Sequence, residues 1–148
     1  DTLKVVDPVM ADNGVLYKSF PADFPRGMRK LCAKADILVP NITEAVLMLD
    51  EPYQEGPYTT DYIEILLKKL GDIGAKQVVL TGVHFDHKQL GAATYDRETG
   101  KTGYSFAGWV DGYYHGTGDV FGSALVAALL TGFDLTEAKQ PALTFALA

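Results

Sequence analysis

Gln77-Val78-Val79-Leu80 is a nearly all-apolar run that leads abruptly into a hydroxyl and a glycine, Thr81-Gly82. Such a run, with no polar alternation, reads as a strand covered on both faces, the signature of a parallel sheet between helical layers. Two similar runs lie upstream. Leu3 to Val6 leads into Asp7-Pro8-Val9-Met10, and Ile37 to Val39 leads into Pro40-Asn41-Ile42-Thr43-Glu44. Helical patterns separate them: Arg26 to Ala35, with Met28, Leu31 and Cys32 on one side, and Tyr62 to Leu70, with Ile63, Leu66, Leu67 and Leu70 on one side. Strand, helix, strand, helix, helix, strand is the order of β-α units, and it predicts a three-layer α/β/α fold with a mostly parallel sheet.

Downstream the texture changes. Ala92 to Tyr95 and Gly103 to Phe106 flank the polar stretch Asp96-Arg97-Glu98-Thr99-Gly100, which reads as an antiparallel hairpin at the sheet edge. Val120 to Leu130 carries apolar groups all round, so it is expected to be a helix buried on most sides. Asp134 with Glu137 three residues later forms the capping pattern of a final helix. No repeat and no linker interrupts the chain, so residues 1–148 read as a single domain. Both ends look cut, and that domain is expected to be part of a longer protein.

Composition narrows the function. The 148 residues are 47% hydrophobic and 22% charged, the makeup of a folded domain, and the net charge of −6 lacks the basic excess that binding a nucleic-acid backbone requires. No apolar run reaches the roughly 18 residues that cross a bilayer, and the first residues do not form a signal peptide, so cytoplasmic residence is expected. The single cysteine, Cys32, reads as a core residue.

Ligands of open α/β sheets bind outside the carboxyl ends of the strands, which here places Asp7, Asn41, Glu44 and Thr81 along one edge. Each residue alone has a structural explanation. Asn41 and Glu44 match a helix capping box, Asp7 before Pro8 matches a turn, and Thr81-Gly82 is a weak signal. Together, two carboxylates and an amide suit hydrated Mg²⁺, which is held through one or two carboxylates and the substrate's phosphates. Gly116-Thr117-Gly118-Asp119 opens the apolar helix, where glycines permit close approach and the helix N-terminus favours an anion. Asp119 can there act as a proton acceptor, or it can simply cap the helix. His84-Phe85-Asp86-His87 has too few spaced ligands for zinc and reads as a turn with solvated histidines. Trp109, Tyr113 and Tyr114 form an aromatic patch expected in the core or in an adenine-pocket wall, while the Tyr53 and Tyr58 loop carries no chemical signal.

In order, Val6-Asp7-Pro8-Val9-Met10, Pro40-Asn41-Ile42-Thr43-Glu44, Val79-Leu80-Thr81-Gly82 and Gly116-Thr117-Gly118-Asp119 resemble the ribokinase-like vitamin kinases. Thr117 and the stretch Asp12-Asn13-Gly14-Val15-Leu16-Tyr17 bring the resemblance closest to the pyridoxal kinases. It covers nearly the whole chain and corresponds to the carboxy-terminal half of that family. The resemblance implies a phosphotransferase that moves the ATP γ-phosphoryl group to the 5′-hydroxymethyl of pyridoxal, pyridoxine or pyridoxamine, working as a homodimer. Asp119 would be the catalytic base, and Gly116, Thr117 and Gly118 the anion hole. Asp7, Asn41 and Glu44 would hold Mg²⁺, largely through water, together with the ATP phosphates. Thr81 and Gly82 would meet the phosphate tail, Val39 would lie nearby, and Val110, Asp111 and Gly112 would run beside the adenosine. Tyr17 would stand at the entrance, near the substrate, and a monovalent cation is a further cofactor to consider. A hydroxymethylpyrimidine kinase, a sugar kinase of the same fold and a non-catalytic nucleotide-binding module remain alternatives.

Overall fold

The computed structural model describes residues 2–109 and 117–130, with 134, 135, 137 and 140; at 117–120 it describes the helix backbone alone. Its elements in chain order are β1 (Val5–Val6), β2 (Ala11–Asp12), β3 (Val15–Leu16), α1 (Phe24–Cys32), β4 (Ile37–Leu38), α2 (Ile42–Leu49), α3 (Thr60–Ile73), β5 (Gln77–Val83), β6 (Gln89–Asp96), β7 (Thr102–Gly108) and α4 (Thr117–Leu130). The main sheet has the order β1-β4-β5-β6-β7. β1, β4 and β5 pair in parallel, whereas β6 runs antiparallel to β5 and to β7. Four strands therefore point one way and only β6 opposes them.

Side chains alternate across this sheet as the pleat requires. Leu38, Val78, Leu80 and Ala93 pack towards one face with α2 and α3 residues such as Val46, Ile63 and Leu67. Ile37, Val39, Val79 and Ala92 pack towards the other with Phe121, Leu125 and Ala128 of α4. Helices thus cover both faces, and the three-layer arrangement follows from strands that are apolar on both sides.

Capping sets where the helices begin. The Thr59 hydroxyl accepts from the Tyr62 N–H at 3.1 Å to start α3, and Pro25 occupies the first turn of α1, where its missing N–H costs nothing. Asp134 and Glu137 exchange hydrogen bonds of 2.9 and 3.0 Å, the reciprocal cap read from their spacing.

Three expectations change. Leu31 is not on the packed side of α1: it is 53% exposed, because the buried row is Phe24, Met28 and Cys32 at four-residue spacing. α4 is not wrapped on most sides by the described residues; Phe121, Leu125 and Ala128 form its packed stripe, and Leu130 is exposed. A further small sheet, β2-β3, was not expected. Asn13 (φ 49°) and Gly14 (φ 77°) form its two-residue turn, both in the left-handed region that a tight hairpin demands.

Candidate functional site

The carboxyl ends of β1, β4 and β5 bring the polar exits side by side. Asn41, just beyond β4, forms a parallel bridge with Thr81 of β5. The Thr81 N–H donates to the Pro40 carbonyl at 2.9 Å, and its hydroxyl reaches the same oxygen at 3.4 Å. Asn41 and Glu44 complete the capping box at the start of α2: the Asn41 Oδ1 accepts from the Glu44 N–H at 2.8 Å, and the Glu44 Oε2 accepts from the Asn41 N–H at 2.9 Å.

Neither side chain stops there. Asn41 Nδ2 donates to the Ala11 carbonyl at 2.9 Å, and Glu44 Oε1 accepts from the Met10 N–H at 3.2 Å. The Gly14 N–H donates to the Thr43 hydroxyl at 3.0 Å. The first turn of α2 therefore holds the segment from Met10 through the β2-β3 hairpin, and that segment carries Tyr17, which is 42% exposed.

Glu44 is buried, and its carboxyl is pushed up from 4.5 to about 7. Burial is the main cause, opposed by the N–H groups of Asn41 and Met10, with the negative charge of Asp7 raising it further. Asp7 is thus close enough to Glu44 for its charge to be felt. Its carboxylate also lies against α4: a Cβ added at Gly122 would stand 3.2 Å from Asp7 Oδ2. Gly122 follows Asp119 by three residues, so the two positions share one face of α4 a turn apart. Asp7, Glu44 and the amino-terminal turns of α4 accordingly meet at one edge of the sheet.

Cys32 lies behind this cluster. Burial first, and then the charges of Glu44 and Asp7, push its thiol up to about 12, so it is an unreactive core group as its sequence context suggested. Val39 is enclosed in the core beneath α4. Gly82 adopts φ 77° at a bulge where β5 slips against β6 between Thr81 and Val83. Gly116, Val110, Asp111, Gly112, Tyr113 and Tyr114 lie outside the described residues, as do the side chains of Thr117 and Asp119.

The histidine turn differs from its reading. His87 is exposed, but His84 is half-buried, with its ring edge-on to Tyr58 and to Trp109 at centroid distances of 5.1 Å each. Tyr58 is itself a core residue, stacked on Tyr62 at 5.4 Å. Nothing in the order His-Phe-Asp-His shows this, because the packing partners come from distant segments; the paired tyrosines and Trp109 were the available signal.

A mixed, mostly parallel sheet between helical layers, with an acidic strand exit beside Gly122 of α4, fits the ribokinase-like class of α/β proteins. The family model described as phosphomethylpyrimidine kinase matches residues 2–148, and the chain belongs to that family. Among solved structures, it is similar to a Bacteroides thetaiotaomicron protein provisionally named a phosphomethylpyrimidine kinase, at 35% identity and a TM-score of 0.91, over 98% of this chain and 50% of that one. An orthorhombic form under the same name was solved with pyridoxal. The pyridoxal kinase of Lactobacillus plantarum is 36% identical, with a TM-score of 0.85, over 98% of this chain and 51% of that one. The pyridoxal kinase of Leishmania donovani, in complex with ADP and pyridoxamine, is 27% identical, with a TM-score of 0.82, over 97% of this chain and 47% of that one. The chain therefore spans about half the length of these structures. No protein of curated function matches it.

Proposed function

We propose that the protein containing this chain transfers the γ-phosphoryl group of ATP to the 5′-hydroxymethyl of a B6 vitamer, and that this chain supplies the nucleotide-binding and catalytic half. The observation that carries the reading is the approach of the Asp7 carboxylate to the Gly122 face of α4, within electrostatic reach of buried Glu44. A carboxylate pair facing a helix N-terminus suits a magnesium-bearing polyphosphate, because the cation answers the carboxylates and the helix answers the phosphate.

The donor set fits magnesium of a particular kind. Among the described residues no group of three or more His, Cys, Asp or Glu stands ready to hold a metal. Both Glu44 oxygens already accept N–H groups. Asp7, Asn41 and Glu44 would hold the ion through its waters, with nucleotide phosphates completing the shell. When bound, the ion neutralises charge on the phosphates.

In this reading Asp119 accepts the proton of the vitamer's hydroxyl as its oxygen attacks the γ-phosphorus, while the bond to the β-phosphate oxygen breaks and ADP leaves. The backbone of Gly116, Thr117 and Gly118 cradles the group in flight. Thr81 and Gly82 meet the phosphate tail with Val39 nearby, and Val110, Asp111 and Gly112 run beside the adenosine. Tyr17 guards the substrate side on its hairpin. Homodimer formation, a monovalent cation and cytoplasmic residence complete the proposal. Among the described residues no helix is long and apolar enough to cross a membrane.

A pyrimidine substrate is the second reading, favoured by the name of the matching family model. An aspartate at 119, where hydroxymethylpyrimidine kinases more often carry cysteine, and the pyridoxal in the Bacteroides structure support the pyridine. The test is ATP-dependent phosphorylation of pyridoxal and of hydroxymethylpyrimidine by the intact protein and its Asp119→Asn variant. The proposal expects pyridoxal to be used with the higher kcat/KM and the variant to lose at least about a hundredfold in kcat. Equal rates for wild type and variant would remove Asp119 from the reaction.

A further inference from the structure

The bulge at Gly82 is tied at both ends. On one side the Thr81 N–H is held by the Pro40 carbonyl at 2.9 Å. On the other, His84 Nδ1 lies 3.3 Å from the Gly82 carbonyl. A carbonyl can only accept, so Nδ1 carries the hydrogen and donates. Gly82 is the residue with the most backbone freedom in this segment, at φ 77°, and the one whose orientation a neighbour must fix.

The imidazole that fixes it has little room of its own. Tyr58 and Trp109 stand edge-on against it. A Cβ on Gly56 would collide with its Nε2 and Cε1 edge, so only glycine is accommodated there. The His84 carbonyl also accepts from the Tyr58 N–H at 2.9 Å, which fastens the loop preceding α3 to the same point. Three segments, the 56–58 loop, the end of β5 and the residue following β7, thus surround one ring whose Nδ1 lies at the bulge. A histidine serving only as filler would not need its Nδ1 hydrogen directed at the one carbonyl adjoining the candidate phosphate-tail contact.

We propose that His84 is a positioning residue for nucleotide binding: through its Nδ1 hydrogen it holds the Thr81-Gly82 bulge in the geometry that meets the phosphate tail of ATP. This rests on the assignment of Thr81 and Gly82 to the phosphate tail made above. Removing the donor frees the bulge without touching the substrate alcohol, so the expected signature is selective.

The test uses the intact protein with two substitutions. His84→Phe keeps an aromatic ring against Tyr58 and Trp109 but has no donor, and His84→Asn places an amide N–H near the position of Nδ1. His84→Phe is expected to raise the KM for ATP by about threefold to tenfold, the range for one lost hydrogen bond, and to leave the KM for pyridoxal unchanged. His84→Asn is expected to return the ATP value to within about twofold of wild type, again on the scale of one hydrogen bond. Amide hydrogen exchange over Val79 to Phe85 should accelerate in His84→Phe and not in His84→Asn. An active enzyme whose His84→Phe variant keeps the wild-type KM for ATP, whose two KM values rise together, or whose Asn variant is no better than Phe overturns the inference alone. A wild-type protein that does not consume ATP overturns the underlying nucleotide reading, and it does so before any variant is compared.

Discussion

Asn41 holds two parts of the molecule with two different atoms, and substitution can separate them. Its Oδ1 caps α2 through the Glu44 N–H at 2.8 Å, while its Nδ2 ties the Ala11 carbonyl, at the start of the β2-β3 hairpin, at 2.9 Å. Serine retains a good cap but is too short to reach Ala11, so Asn41→Ser removes the tether alone. Alanine removes both. An N-terminal cap contributes about 1 kcal/mol, and a neutral hydrogen bond about 1 kcal/mol, with an added cost where a buried carbonyl is left without a partner. Ala11 is fully buried, so the added cost applies. Asn41→Ser is therefore expected to lower unfolding free energy by about 1 to 3 kcal/mol, and Asn41→Ala by about 1 kcal/mol more. Urea denaturation of the intact protein reads both, from shifts in midpoint at constant slope. Equal losses in the two variants would mean that the cap contributes nothing. An Asn41→Ala variant within about 0.5 kcal/mol of wild type, the scatter of an ordinary surface change, would refute the whole account of this corner.

Two further outcomes follow from the same edge. Gly122→Ala adds a methyl 3.2 Å from Asp7 Oδ2, so the carboxylate must yield by a few tenths of an ångström; alanine favours the helix by up to about 1 kcal/mol, and thermal melting should show unchanged or higher stability while kcat/KM for ATP falls by about tenfold. Glu44 sets a pH dependence: its folded value of about 7 lies above the 4.5 of an ordinary glutamate, so the folded state retains its proton longer, and relative stability present below pH 4.5 is lost as pH rises through 7. In EDTA, wild type should therefore lose stability relative to Glu44→Gln between pH 5 and pH 8, by up to about 3 kcal/mol, and parallel denaturation profiles for the two proteins would show that Glu44 is not perturbed.

The sheet was legible wherever the chain carries its own evidence. β1, β4 and β5 were readable as apolar runs, and α3 as the stripe Ile63, Leu66, Leu67 and Leu70, all of them buried. β5 was read to end at Leu80, yet it continues to Val83, because the Gly82 bulge absorbs an extra residue and lets pairing with β6 resume. The β2-β3 hairpin was signalled by Asn13-Gly14 but escaped because its arms are two residues long, too short for any alternation to show. For α1, three apolar residues at helical spacing left open which pair faces inward. Phe24 at its start decides the matter by extending the row through Met28 and Cys32, which leaves Leu31 outside.

What the sequence could not display is the electrostatic cost concentrated at the site. A capping box needs a side-chain acceptor at its third helical position, and glutamine serves there without charge. Glu44 is instead a buried carboxylate, and Asp7 adds repulsion to its desolvation. Neither capping α2 nor anchoring Met10 calls for that second negative charge, and neither calls for a glycine at 122 that lets it approach the helix. The Asn41 and Glu44 hydrogen bonds explain why the corner is rigid, and the charge of Asp7 raises the Glu44 carboxyl beyond what burial does. In the proposed function, a cation beside them would turn that repulsion into attraction, and a phosphate on the α4 side would meet both the cation and the helix N-terminus. On that proposal the capping hydrogen bonds fix the geometry that ligand binding would require.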